Sequence, residues 1–306
     1  MEKKLTRFDI VVALGFVLTL SIAVGAFFFG LHTGKEQMDA RYQSLIEELS
    51  DDRSAEQISY HQQQLVSFYH TVLLPFREFQ KTWFQNTNTM QVENSPADSG
   101  DLLRQLGRLA REKAAEIRPM SMPEVSPLLR EAHEDYLRSL TLFAEATDRM
   151  QNGANQAGFA ATMKKEPYVL EASSYALRAQ MKYYEAIWRW SLDNDPDSSG
   201  KDLTAGNNMS MNDWRRLTLN EKNAYISRLL ADEEKFMLFY PQDASARIDE
   251  LDSAGQTGVL NVQDVRSLVH TLLSTEAIRY GDYIQSRDKL YSEEKLPQLP
   301  FFFDQT

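Results

Sequence analysis

From Ile10 to Leu31 the chain reads IVVALGFVLTLSIAVGAFFFGL, with no charged residue inside it. As a helix rising about 1.5 Å per residue, this stretch covers a little over about 30 Å, the thickness of a bilayer core. A cleaved leader carries a shorter apolar region of about 7–15 residues. Cutting after Ala23-Val24-Gly25 would also leave Ala26-Phe27-Phe28-Phe29 as an apolar new terminus. A lipid-anchored leader needs a cysteine, and the chain has none. A buried core helix is seldom apolar on every face. The expectation is an uncleaved transmembrane helix at 10–31, with the bilayer as its first partner.

Lys3, Lys4 and Arg7 precede the span, whereas Lys35 and Arg41 on the far side are mixed with Glu36, Asp39, Glu47 and Glu48. The positive-inside rule then predicts a short cytoplasmic tail at 1–9 and the bulk of the chain outside, on a single-pass cell-membrane protein. That tail is too short for a signalling domain, so a signal would need a membrane partner or self-association. Ser21 with Gly25, and Ala26 with Gly30, give the small-xxx-small spacing that lets two membrane helices pack closely.

The net charge of the 306 residues is −11. Such an acidic outer region is a poor match for nucleic acid. Without cysteines there is no thiol nucleophile, thiolate metal site or disulfide, so the core alone must hold the fold. Leu, Ala, Glu, Gln and Arg are common and glycine is scarce, and no long alternating β-branched run occurs. The fold class expected is all-α.

Apolar residues recur at helical spacing in four stretches. The first holds Leu65, Phe68, Tyr69, Val72, Phe76, Phe79 and Trp83, with a kink expected near Thr71 to Leu74 because of Pro75. Asn86 to Gly100 reads as turn and loop. A second helix from Gly100 to Arg118 sets Leu103, Leu106 and Ala110 against Arg104, Arg108, Arg111 and Lys113. The third opens at Ser126-Pro127 and closes at Asn152-Gly153. The fourth, about 155–192 with Pro167 near its middle, carries a seam of Leu170, Ser174, Leu177, Met181, Tyr184, Trp188 and Ser191.

These pack as an antiparallel extracytoplasmic bundle at 36–194. The polar stretch 195–208 reads as a linker and 209–293 as a smaller C-terminal helical domain. A Pro/Phe-rich tail at 294–306 follows. Helical bundles of this shape resemble the outer domains of bacterial sensor receptors.

One internal repeat stands out. Met209-Ser-Met-Asn-Asp-Trp-Arg-Arg-Leu217 aligns with Leu260-Asn-Val-Gln-Asp-Val-Arg-Ser-Leu268. Each copy runs into a helix, the second expected to continue to about Tyr291. With Gly258 and Asn207 at the turns and Asp264 and Asp213 in the last places, the segments Asp202 to Asp213 and Ser253 to Asp264 resemble a degenerate EF-hand pair. The resemblance implies that Met209 pairs with Val259-Leu260. The loops offer too few charged oxygens for calcium, so no metal or other cofactor is expected.

His32, His61, His70, His133 and His270 are scattered, with no two at i, i+4. No nucleophile elbow or glycine-rich phosphate loop occurs. No catalytic residue is assigned, and the chain is not read as an enzyme. Tyr183 and Trp190 fall off the seam of the fourth helix and, with Phe301, Phe302 and Phe303, form the candidate interaction surface. The default for the tail is to tuck into its own chain. The function expected is a membrane-anchored interaction or scaffold module at the cell envelope, bound to a protein partner or to itself. The alternative is a ligand-sensing outer domain that signals through a membrane partner.

Overall fold

The computed structural model describes residues 60–93, 96–122, 125–154, 159–200, 203, 209–259 and 264–303. The apolar segment Ile10–Leu31, its flanks and the tail 1–9 lie outside the described residues, as does the part of the expected bundle before residue 60. No helix among the described residues is long and apolar enough to cross a membrane.

The described chain is helical, and its only β pairing is an isolated antiparallel bridge between Ser210 and Asp264. Helix α1 (Gln62–Phe68) passes through a π-helical turn (Tyr69–Leu73) into α2 (Leu74–Glu93). That turn occupies the place of the expected kink. Pro75 has no N–H to offer the preceding turn, and the Leu74 N–H bonds five residues back to the Tyr69 carbonyl.

The stretch Asn86 to Gly100 is not the loop its composition suggests. Helix α2 runs on to Glu93 because Trp83, Thr87 and Met90 lie on one buried face, and α3 (Pro96–Ile117) begins almost at once. Burial outweighs the turn propensity of Asn and Thr. Helix α4 (Pro127–Met150) starts after Ser126, whose hydroxyl donates to Gln64 Oε1 at 2.7 Å. The expected fourth helix is two, because Pro167 ends the first piece. They are α5 (Phe159–Met163) and α6 (Pro167–Asn194), the latter capped by the Glu166 side chain accepting from the Val169 N–H at 3.0 Å.

Helix α4 lies on α6 and α3, and α3 also meets α2. Arg149–Glu166 at one end and Lys182–Glu131 toward the other show that α4 and α6 run antiparallel. Small residues set the spacing. Ser139 donates to the Ala172 carbonyl at 2.8 Å across the α4–α6 seam. At the α3–α4 crossing a Cβ on Gly107 would overlap the Thr147 hydroxyl, which is buried. Gly107→Ala is therefore expected to lower the unfolding free energy by about 1–3 kcal/mol in denaturant titrations. In a Thr147→Ala background, where the obstructing hydroxyl is gone, the cost should shrink.

The C-terminal helices are α7 (Met211–Trp214), α8 (Leu219–Asp232), α9 (Pro241–Ser253), α10 (Gln256–Val259), α11 (Val265–Ser274), α12 (Asp282–Leu290) and α13 (Pro300–Phe303). The second repeat copy does not run as one helix to Tyr291. It stops at Ser274, with Glu276 left-handed (φ 51°) and Gly281 (φ 92°) leading into α12. The first copy ends the same way. Glu234 is left-handed (φ 53°), and Lys235 bonds to the Leu230 carbonyl as Ala277 bonds to that of Leu272, each at 2.9 Å. The internal repeat thus extends into the helix stops.

Two apolar clusters fill the unit formed by residues 58–306. One joins α1–α4 to α6 and takes in Tyr240, Tyr283, Phe301 and Phe302. The other lies among α7–α11 and takes in Leu177 and Trp188 of α6. The seam of α6 is consequently not a single face. Leu170 is 54% exposed, Leu177 and Trp188 face one cluster, and Tyr184 faces the other.

Candidate functional site

The five aromatic residues proposed as an interaction surface occupy different places. Tyr183 and Trp190 are interior, because α6 is covered on two sides and its small residues Ala172, Ala176 and Ala179 let α4 approach. Tyr183 stacks on Phe68 at 4.9 Å and donates to the Leu65 carbonyl at 3.0 Å. The segment Pro300–Phe303 folds back as α13 and inserts Phe301 and Phe302 into a socket. Phe301 meets Tyr69, Tyr240 and Tyr184 at 5.4–6.1 Å, and Phe302 stands edge-on to Tyr283 at 5.8 Å. The tail docks on its own chain, which leaves only Phe303, 42% exposed, on the surface. An outward aromatic patch is thus replaced by an inward one.

Beneath the socket lies a polar centre absent from the sequence reading. Arg77 of α2, 7% exposed, donates to Gln80 Oε1 at 2.7 Å and to the Leu238 carbonyl, and its guanidinium stacks over the Tyr240 ring at 3.8 Å. Gln80 donates to the Met237 carbonyl at 2.8 Å. The loop between α8 and α9 is thereby held by two side chains of α2.

Asp243 in the first turn of α9 is 2% exposed. It accepts from the backbone N–H groups of Tyr240, Gly281 and Tyr283 at 2.8–3.2 Å, tying α12 to α9. Burial pushes its carboxyl up to about 6. Burial also raises Asp282, and it raises Glu294, which accepts from the Leu219 N–H.

A carboxyl raised in the folded state binds its proton more tightly there than in the unfolded chain. Its favourable contribution is full below about pH 4 and is lost as pH climbs through about 6. Denaturation midpoints should therefore fall between pH 4.5 and pH 7, with Asp243 contributing about 2 kcal/mol over that window. Asp243→Asn should flatten that slope.

Arg77 and Gln80 line a crevice with Tyr136, Gln180, Lys235 and Phe236. It measures about 300 Å³ with its open mouth, and its enclosed part holds about one water molecule. Across the molecule, Arg104, Arg108, Arg111 and Arg118 are all exposed. Their spacing of four, three and seven puts them on one stripe at the outer side of α3 and its end. Asp101 pairs with Arg104 and Asp148 with Arg111.

The two EF-hand-like segments are partly described, 202, 204–208 and 260–263 lying outside. The bridge joins Ser210 to Asp264, and the Val265 N–H donates to the Met209 carbonyl at 2.9 Å. Asp264 caps α11 through the Ser267 N–H, and Asp213 accepts from the Ser210 hydroxyl. Among the described residues no group of three or more His, Asp or Glu could hold a metal ion. No family model, curated protein or solved structure matches the chain.

Proposed function

We propose that this chain is a single-pass membrane protein, N-terminus in the cytoplasm, whose helical outer unit is an interaction or scaffold module at the cell envelope. The observation that carries the reading is the uncharged apolar segment Ile10–Leu31 placed ahead of a large helical unit. The arginine stripe of α3 supports the interaction part. Arg104 and Arg111 are paired with Asp101 and Asp148, but Arg108 and Arg118 have no ion-pair partner among the described residues and offer positive charge, on a chain of net charge −11, to an acidic partner protein. The EF-hand-like segments enter this reading as braces, with Ser210 and Asp264 spent on capping α7 and α11.

The absence of cysteine makes single-cysteine labelling free of background. With a membrane-impermeant maleimide on sealed cells, Arg108→Cys is expected to react and Thr6→Cys only after permeabilisation. Release of the protein by alkaline carbonate, or protection of Arg108→Cys, would overturn the anchored topology. A photo-crosslinker at 108 should then capture one discrete partner, lost when Arg104 and Arg118 are changed to Glu. No captured species would count against the interaction module. The crevice beside Arg77 favours a second reading, a ligand-sensing outer domain that signals through a membrane partner.

A further inference from the structure

The geometry points to an oxyanion seat in the crevice between α2, α6 and the loop 235–239, where Arg77 and Lys235 receive a carboxylate or phosphate group. Arg77 is buried and has no carboxylate in ion-pair contact among the described residues. Its hydrogen bonds to Gln80 and to the Leu238 carbonyl hold it in place without neutralising it. A charge taken out of water is costly unless an opposite charge answers it. Asp243, whose charge interacts with that of Arg77 through space, makes no ion-pair contact with it and turns its oxygens to three backbone N–H groups instead.

The lining itself is one-signed. It holds Arg77 and Lys235 with the amides of Gln80 and Gln180, and no Asp or Glu, in a chain where acids outnumber bases 44 to 33. Lys235 is exposed at the mouth, where its ammonium can close over an entering anion. The enclosed part has room for about one water, so a single oxygen of the anion would enter it and the rest of the group would stay in the open mouth. Apolar walls from Phe76 and Phe236 lower the local dielectric and strengthen the charge-assisted bonds. The seat deepens the sensing reading and is independent of the α3 face. Its failure would leave the α3 interaction standing.

The test is isothermal titration of the full chain in lipid nanodiscs with inorganic phosphate and, separately, with succinate, at constant ionic strength. At least one of them is expected to bind saturably. Lys235→Gln, a change at an exposed side chain, should weaken that binding about tenfold or more, and Arg77→Gln should abolish it. Phosphate alone would assign a phosphorylated ligand, succinate alone a carboxylate ligand, and both a general oxyanion seat. The absence of saturable binding of either up to about 10 mM, or binding untouched by Lys235→Gln, would overturn the proposal. The Lys235 variant keeps the test decisive where Arg77→Gln, by freeing the 237–238 loop, unfolds the chain.

Discussion

Phe302→Ala is expected to lower the unfolding free energy by about 3–5 kcal/mol, the range for a large aromatic removed from a filled core. Phe302 is fully buried, edge-on to Tyr283 and against Phe301, whose ring fills the space between Tyr69, Tyr184 and Tyr240. The void could be relieved only by moving α12 and α13 together. Tyr283 and Arg287 also hold the Phe302 carbonyl, and Arg287 holds that of Phe303 at 2.9 Å. Phe303→Ala, at an exposed neighbour, is the control and should change stability by less than about 0.5 kcal/mol. Equal effects at 302 and 303 in urea titrations followed by tryptophan fluorescence would show that the docked segment is not part of the core.

The second large effect is expected at Glu221. Its carboxylate has no exposure and four donors. Ser199 gives its N–H at 3.0 Å and its hydroxyl at 2.6 Å, and Thr218 gives its N–H at 2.9 Å and its hydroxyl at 3.2 Å. It thus closes the capping box of α8 and pins the 195–200 turn to it. Glu221→Ala takes the acceptor from the buried Thr218 donors and from Ser199, which is exposed and can turn to water, and should cost about 3 kcal/mol. Glu221→Gln keeps one acceptor oxygen and should cost less. A loss near 1 kcal/mol for the alanine variant would mean that water enters to replace the carboxylate.

Much of the helical pattern was readable because it depends on neighbours in sequence. Ser126-Pro127 and Thr218-Leu-Asn-Glu221 are local signals, and both open helices as expected. The readings that failed depended on distant partners. Asn86 to Glu93 looks like a loop until Met90 and Thr87 are seen to be buried. Tyr183 and Trp190 look surplus on a helix assumed to bury one stripe. Their burial follows from a second covered face, for which the alanines at 172, 176 and 179 were an available hint. Arg77 gave no sequence signal. It sits among Phe76, Phe79 and Trp83, and the carbonyl it holds is 161 positions away.

The docking of α13 also bears on how the protein is made. Gln298 meets Gln62 across 236 positions, and Phe301 completes a socket whose first wall, Tyr69, leaves the ribosome long before it. The bundle therefore cannot seal its aromatic centre while its own helices emerge, and closure must follow synthesis of Pro300–Phe303. A chain interrupted upstream would present an open cleft walled by Tyr69, Tyr184 and Tyr240. Exposed apolar surface of that kind is aggregation-prone and is what chaperones bind.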